Sequence, residues 1–232
     1  MRTENQKVKY SGIIFDFNGV LWWDRSLQEQ AWRQFSEGRF GISLSEEVMR
    51  TEVHGRNNQH TLQFLAGRDL AEDEVRQLSQ QKERLYRDLC LTTGEKFMLS
   101  PGAEDLLAEL AANRIPRTIA TASGKENLDF FREHLELDKW FDHSIIVYDD
   151  GSIPGKPAPE IYLLATNRLR LKPADCIVVE DSFSGIKSAQ SAGIGHIVAL
   201  SSGERIEKND QLDGVDQVIG DLGDLDWKEL LL

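Results

Sequence analysis

Asp16-Phe17-Asn18-Gly19-Val20 follows directly on the apolar run Gly12-Ile13-Ile14-Phe15. The run reads as a buried strand feeding a tight turn. A carboxylate at the carboxyl end of such a strand stands where open α/β sheets place their chemistry, so Asp16 is a candidate nucleophile or metal ligand. The same pentapeptide is ordinary turn composition, and its meaning depends on partners further along. Three groupings supply them: Thr121-Ala122-Ser123-Gly124, Gly155-Lys156-Pro157 and Glu180-Asp181-Ser182. Glu180 and Asp181 add hard oxygens to Asp16, and two or three carboxylates plus a carbonyl suit Mg²⁺. Adjacent acids after a strand also serve simply as a helix N-terminal charge pair. Thr121 and Ser123 bring hydroxyls and N–H groups to the start of a helix, which makes either an anion site or a plain N-cap. Lys156, held between Gly155 and Pro157, could neutralise a phosphate or an aspartyl phosphate, although most loop lysines are merely solvated.

These groups need a sheet to bring them together. Strands are expected at Arg117–Thr121, Ser144–Tyr148, Cys176–Val179, His196–Leu200 and Gln217–Ile219. Helices are expected at Gly102–Asn113, with Ser100-Pro101 as its N-cap and first residue, and at Asn127–Leu137, Glu160–Leu169 and Ile186–Ala192. Strands alternating with helices predict an α/β fold with a parallel sheet and right-handed crossovers. The four polar groupings then fall at the carboxyl edge of that sheet. Between the first strand and Ser100 the pattern is helical throughout, with Leu27, Ala31, Trp32 and Phe35 in register and Gly41, Gly55 and Gly67 as breakers. The expected organisation is a catalytic core of residues 1–22 and 98–232 with an all-helical cap at 23–97. The cap would hinge near Trp22–Arg25 and Lys96–Ser100. Trp22-Trp23 reads as hinge packing or as a stacking surface for a substrate ring.

The 232 residues suffice for one or two domains with real cores. With 40% hydrophobic and 28% charged residues the composition is that of a soluble globular protein. No run approaches a membrane span, and Met1–Tyr10 lacks the apolar core of a secretory signal. A net charge of −12 argues against nucleic acid or an anionic membrane as partner. An anionic substrate would need a local positive field made by a metal, a few Lys or Arg side chains and N–H groups. The two cysteines, Cys90 and Cys176, have no metal-ligand spacing and fit a reducing cytoplasm.

Taken in order, "IIFDFNGVL", "TIATASG", "GKPAPEIYLLA" and "VVEDSFSGIKSAQSAG" resemble the haloacid dehalogenase-like hydrolases, most closely the branch of β-phosphoglucomutases and small phosphatases. The resemblance runs from Gly12 to about Leu200 and implies a Rossmann-like three-layer core with an inserted helical cap. It implies that Asp16 attacks phosphorus and becomes an aspartyl phosphate. Phosphate-binding positions would be Asn18, Gly19, Thr121, Ala122, Ser123 and Lys156. Mg²⁺ would be held by Asp16, the Asn18 carbonyl and Asp181, with Glu180 near or in its shell. In the insert, Gly55-Arg56 matches a cap segment whose arginine reaches substrate anions; a solvated helix-end arginine is the competing view. The implied activity is hydrolysis of a small phosphorylated metabolite by a cytoplasmic monomer or weak dimer.

Two departures qualify it. The second acid of the first motif, which in the family protonates the leaving oxygen and activates water, is here Asn18. Proton transfer of this kind is typically worth ~10²–10⁴-fold, and an amide cannot provide it. Asn18 is read as an engineered replacement, as a natural enzyme suited to good leaving groups such as acyl phosphates, or as a phosphate-binding pseudoenzyme. Deamidation at Asn18-Gly19 would regenerate the acid. Gln28 replaces a histidine frequent in the mutase branch, which weakens a sugar-phosphate mutase assignment. No lysine occurs between Lys9 and Lys82, which speaks against Schiff-base cleavage of a C–P bond. Glu180-Asp181 speaks against metal-free dehalogenation.

Overall fold

The computed structural model describes residues 10–94, 97–201 and 213–231. Lys96, in the expected second hinge, and nearly all of the amino-terminal stretch Met1–Tyr10 lie outside them. Six strands form one sheet: β1 (Gly12–Phe15), β2 (Arg117–Gly124), β3 (Val147–Asp149), β4 (Cys176–Glu180), β5 (His196–Leu200) and β6 (Gln217–Ile219). Their order is β3-β2-β1-β4-β5-β6, and every neighbouring pair is parallel. The chain therefore builds outward from β1 in one direction and returns to β4 on its other side. The crevice between β1 and β4 is a topological switch point, where ligands bind at the carboxyl ends of strands.

Alternation of side chains supplies both faces. Ile13, Phe15, Ile119, Ile177 and Val179 enter one apolar layer. Ile14, Ala120, Val178, Ile197 and Ala199 enter the other, against Ile161, Tyr162, Ala165, Ile186 and Ala189. All residues of β1 and β4 are buried, as expected of central strands covered on both faces.

Between β1 and β2 stand α1 (Arg25–Phe40), the single turn α2 (Glu46–Val48), α3 (Asn58–Ala66), α4 (Glu72–Thr92) and α5 (Ala103–Ala112). The first four share a core of their own that includes Trp32, Phe35, Leu62, Leu65 and Leu78. Tyr86 and Cys90, near the end of α4, leave that core and join the layer over the sheet. Trp22 packs on Phe97 with ring centres 4.9 Å apart, so its ring is taken up by packing.

Several boundaries move. The helix after Ser100-Pro101 starts at Ala103, with Gly102 at its N-cap position. Ser100 is occupied elsewhere: its hydroxyl donates to Val20 O at 2.6 Å and its N–H to Leu21 O at 2.9 Å, tying the chain's return to the turn after β1. The helix expected at Asn127–Leu137 is α6 (Lys125–His134). Ser144 belongs to a 3₁₀ turn capped by Asp142, so β3 keeps only three residues. The helix after β4 is α8 (Phe183–Ser191), three residues earlier than expected, because the Ser182 side chain accepts from Gly185 N and caps it. The Glu160–Leu169 helix, α7, lies where the sequence puts it.

Candidate active site

Asp16 stands immediately beyond β1, its N–H donating to Val179 O of β4 at 3.0 Å. The turn that follows requires glycine at 19. Gly19 has φ +83°, and a Cβ there would lie 2.1 Å from Asp181 Oδ2. Lys156 is buried, 3% exposed. Its Nζ donates to Asp16 Oδ1 at 2.9 Å and to Glu180 Oε1 at 2.6 Å. Far from being a solvated loop lysine, it is the buried counter-ion of two carboxylates.

Glu180 is fully buried and saturated with donors. Oε1 accepts from Lys156 and, at 2.9 Å, from the Tyr162 hydroxyl. Oε2 accepts from the N–H groups of Asp181 and Ser182 at 2.9 Å each and from Ser182 Oγ at 3.0 Å. Burial opposes its ionisation, but Lys156 and these hydrogen bonds hold its carboxyl below the ordinary value. Asp16 goes the other way: burial pushes it up to about 7, Lys156 opposing and the Glu180 charge adding. Asp181 is held well above the ordinary carboxylate range by burial and then by the charges of Glu180 and Asp16. Ligand atoms of Asp16, Glu180 and Asp181 lie within 4.8 Å of one another. One lysine does not keep all three acids ionised, which is why Asp16 and Asp181 are raised; a divalent cation would favour their ionised forms, and the all-oxygen donor set fits Mg²⁺. Since five donors already occupy Glu180, the free ligand atoms are those of Asp16 and Asp181.

On the β2 side, Ser123 N–H donates to Thr121 Oγ1 at 3.1 Å, and Ser123 Oγ donates to Asn18 Oδ1 at 2.7 Å. Asp16, Asn18, Gly19, Thr121, Ala122, Ser123, Lys156 and Asp181 all line one cavity of about 690 Å³. Arg56 lines it from the inserted helices, its Nη1 donating to Lys156 O at 3.3 Å. This approach depends on Gly55, at φ +68°, where a Cβ would lie 2.3 Å from Ser182 Oγ and 2.4 Å from Ser184 Oγ. The structure thus brings every expected site residue to one place; Glu180 does not line the cavity but joins it through Lys156 and the acid cluster.

Other cavity residues escaped sequence reasoning. Lys82 is 2% exposed, with Nζ 2.8 Å from Gln28 Oε1, 3.0 Å from Glu83 Oε1 and 4.7 Å from the centre of the Trp32 ring. The helical spacing of Lys82 and Tyr86 was the available signal. Asp24 is buried against Asn18 and Tyr86; burial raises its carboxyl above the ordinary value. Gly19 N–H, whose nitrogen would have to attack the Asn18 amide for deamidation, is held by Trp22 O at 2.7 Å and Asp24 Oδ1 at 3.1 Å. That geometry disfavours the deamidation route.

The family model for haloacid dehalogenase-like hydrolases matches residues 10–193. The chain belongs to that family. A phosphorylated-carbohydrate phosphatase of Thermotoga maritima is 33% identical over 193 residues, 81% of this chain and 84% of its own. A fructose-1-phosphate phosphatase of Escherichia coli is 27% identical over 186 residues, 80% of this chain and 94% of its own. The crystal structure of a family IA, variant 3 hydrolase from Entamoeba histolytica superposes with a TM-score of 0.83 at 32% identity, covering 95% of this chain and 97% of that one. In this hydrolase, as the sequence implied, a parallel sheet carries the motif residues at its carboxyl edge. Among the described residues no helix is long and apolar enough to cross a membrane.

Proposed function

We propose that the protein is a Mg²⁺-dependent phosphatase acting on a small phosphorylated metabolite through an aspartyl phosphate on Asp16. The supporting observation is the convergence of Asp16, Thr121, Lys156 and Asp181 on one cavity. The phosphatase names of the relatives point the same way. Residues 1–22 and 98–232 act as the catalytic core, with 23–97 as a cap that shields the cavity from water.

Asp16 attacks phosphorus; the Asp16–phosphorus bond forms as the bond to the leaving oxygen breaks. Lys156 orients Asp16 and offsets the charge of the phosphoryl group, while Thr121, Ser123 and nearby N–H groups hold its oxygens. Mg²⁺, held by Asp16, the Asn18 carbonyl and Asp181, would supply charge neutralisation at the phosphoryl oxygens. Water then cleaves the aspartyl phosphate and frees Asp16. Asn18 gives no proton to the leaving oxygen, so substrates with weakly basic leaving groups, acyl phosphates among them, suit this site best. Lacking a proton relay at position 18, the site is poorly suited to a mutase, which must return a phosphoryl group to a sugar hydroxyl.

The test is phosphate release from acetyl phosphate and p-nitrophenyl phosphate with Mg²⁺ and again with excess EDTA. Turnover that EDTA abolishes is the expected result. Absence of turnover together with tight phosphate binding would identify a binding module instead. Metal binding has its own readout. At Mg²⁺ a hundredfold above its dissociation constant the fold gains about 2.7 kcal/mol, which raises the unfolding midpoint by about 5–11 °C for a chain of this size. Asp181→Asn should reduce this shift to near zero. Arg56→Ala is expected to raise KM for phosphate esters about tenfold, a loss of about 1.4 kcal/mol of anion binding, and an unchanged KM would end its anion-binding role.

A further inference from the structure

The Asn18 side chain is gripped from both ends. Oδ1 accepts from Ser123 Oγ at 2.7 Å and Thr121 Oγ1 at 3.5 Å. Nδ2 donates to Asp24 Oδ2 at 2.7 Å and lies 3.3 Å from the Tyr86 hydroxyl oxygen. Asp24, 1% exposed, uses both oxygens. Oδ2 also accepts from the Tyr86 hydroxyl at 2.5 Å, and Oδ1 accepts from Gly19 N–H at 3.1 Å. An amide turned over would set its oxygen against the Asp24 carboxylate, so one orientation alone satisfies the site. An aspartate at 18 would put a carboxylate oxygen 2.7 Å from Asp24 Oδ2, where the Asn18 amide nitrogen now donates. Two ionised carboxylates do not share such a site.

We propose that Asn18 and Asp24 form an exchanged amide–carboxylate pair, in which Asp24 is a positioning residue that aims the Asn18 oxygen at Thr121 and Ser123 and ties that aim to Tyr86 of α4. Asn18 is then no damaged acid. Its donor and the acceptor on Asp24 require each other, and restoring an acid at 18 alone makes the site worse. Exchanging both residues keeps the match. An asparagine at 24 would give its oxygen to Gly19 N–H and its amide hydrogens to an aspartate at 18 and to Tyr86. The consequence for turnover rests on the phosphatase reading; the pairing does not.

Four proteins test it: wild type, Asn18→Asp, Asp24→Asn and the double exchange Asn18→Asp/Asp24→Asn, each compared by metal-free unfolding midpoint and by kcat and KM for acetyl phosphate. Each single variant should lose at least about 3 °C, and the exchange should recover most of the loss. Asn18→Asp should lower kcat at least about tenfold with little change in KM. The exchange should return kcat to the wild-type level or above it. Additive midpoint losses, or failure of the exchange to fold, would overturn the pair. So would an Asn18→Asp variant as active as the exchange. If no protein turns over substrate but the midpoints show recovery, the pair stands and the phosphatase reading falls.

Discussion

Asp16→Asn is expected to reduce turnover by at least about 10³-fold without weakening the fold. Removing a nucleophile deletes the covalent route, and what is left is positioning and charge. The remaining machinery stays in place, because Lys156 still reaches Glu180 at 2.6 Å and an amide oxygen at 16 can accept the 2.9 Å hydrogen bond. Stability separates this effect from collapse. Asp16 is buried, and in the metal-free protein its carboxyl is pushed from 3.8 up to about 7. A carboxyl raised in the fold is favoured there as the neutral acid. Its contribution is therefore present below about pH 4 and is lost as pH climbs toward about 7. Asp16→Asn lacks that component, so its metal-free unfolding midpoint should fall less than that of the wild type between those pH values. Undiminished phosphate release by the variant would refute the nucleophile assignment, whatever the midpoints show.

The difference between what the sequence announced and what it concealed follows from how far each interaction reaches along the chain. Gly12–Phe15 and Cys176–Glu180 are strands buried on both faces, and such strands must be continuous apolar runs. Their ends are therefore visible, and with them Asp16, Glu180 and Asp181. Thr121 is less plainly marked: β2 does not stop there, as the sequence suggests, but runs on to Gly124, so Thr121 lies within the strand. Lys156 was legible as a motif, whereas its burial was not, since nothing local says that two acids 140 and 24 residues away will surround it. Asp24 misleads more directly. It occupies the N-cap position of α1, which an aspartate normally fills by accepting from the helix, yet its side chain makes no capping bond. It turns back to Gly19 and Asn18 instead, a preference set by a tyrosine 62 residues away. Ser100 is a similar case, a plausible cap drawn off by the carbonyl of Val20. In each instance a long-range hydrogen bond in a dry environment outweighs a local one that water could replace.

Lys156→Met is expected to give the largest loss of stability of any single substitution in the site. The lysine Nζ lies between Asp16 Oδ1 and Glu180 Oε1, and its side chain is 1% exposed, beside acids at 9% and 0%. Methionine has nearly the same length and fills the space, so the change removes charge with little loss of packing. What it leaves is the buried Glu180 carboxylate without its cation, with Asp16 and Asp181 close by. Breaking a buried pair from one side typically costs about 3–5 kcal/mol, because the surviving charge stays desolvated. A loss of that size is a large fraction of a domain's total stability, and denaturant unfolding of the metal-free protein measures it. Turnover should vanish as well, since Asp16 loses its orienting partner and the phosphoryl group its nearest fixed positive charge. The two losses can be separated by metal. Mg²⁺ would offset part of the repulsion, so saturating metal should narrow the stability gap between Lys156→Met and wild type while leaving turnover absent. A variant that unfolds like wild type without metal would show that the three acids do not share a common field. The placement of the metal between Asp16 and Asp181 would then lose its electrostatic basis.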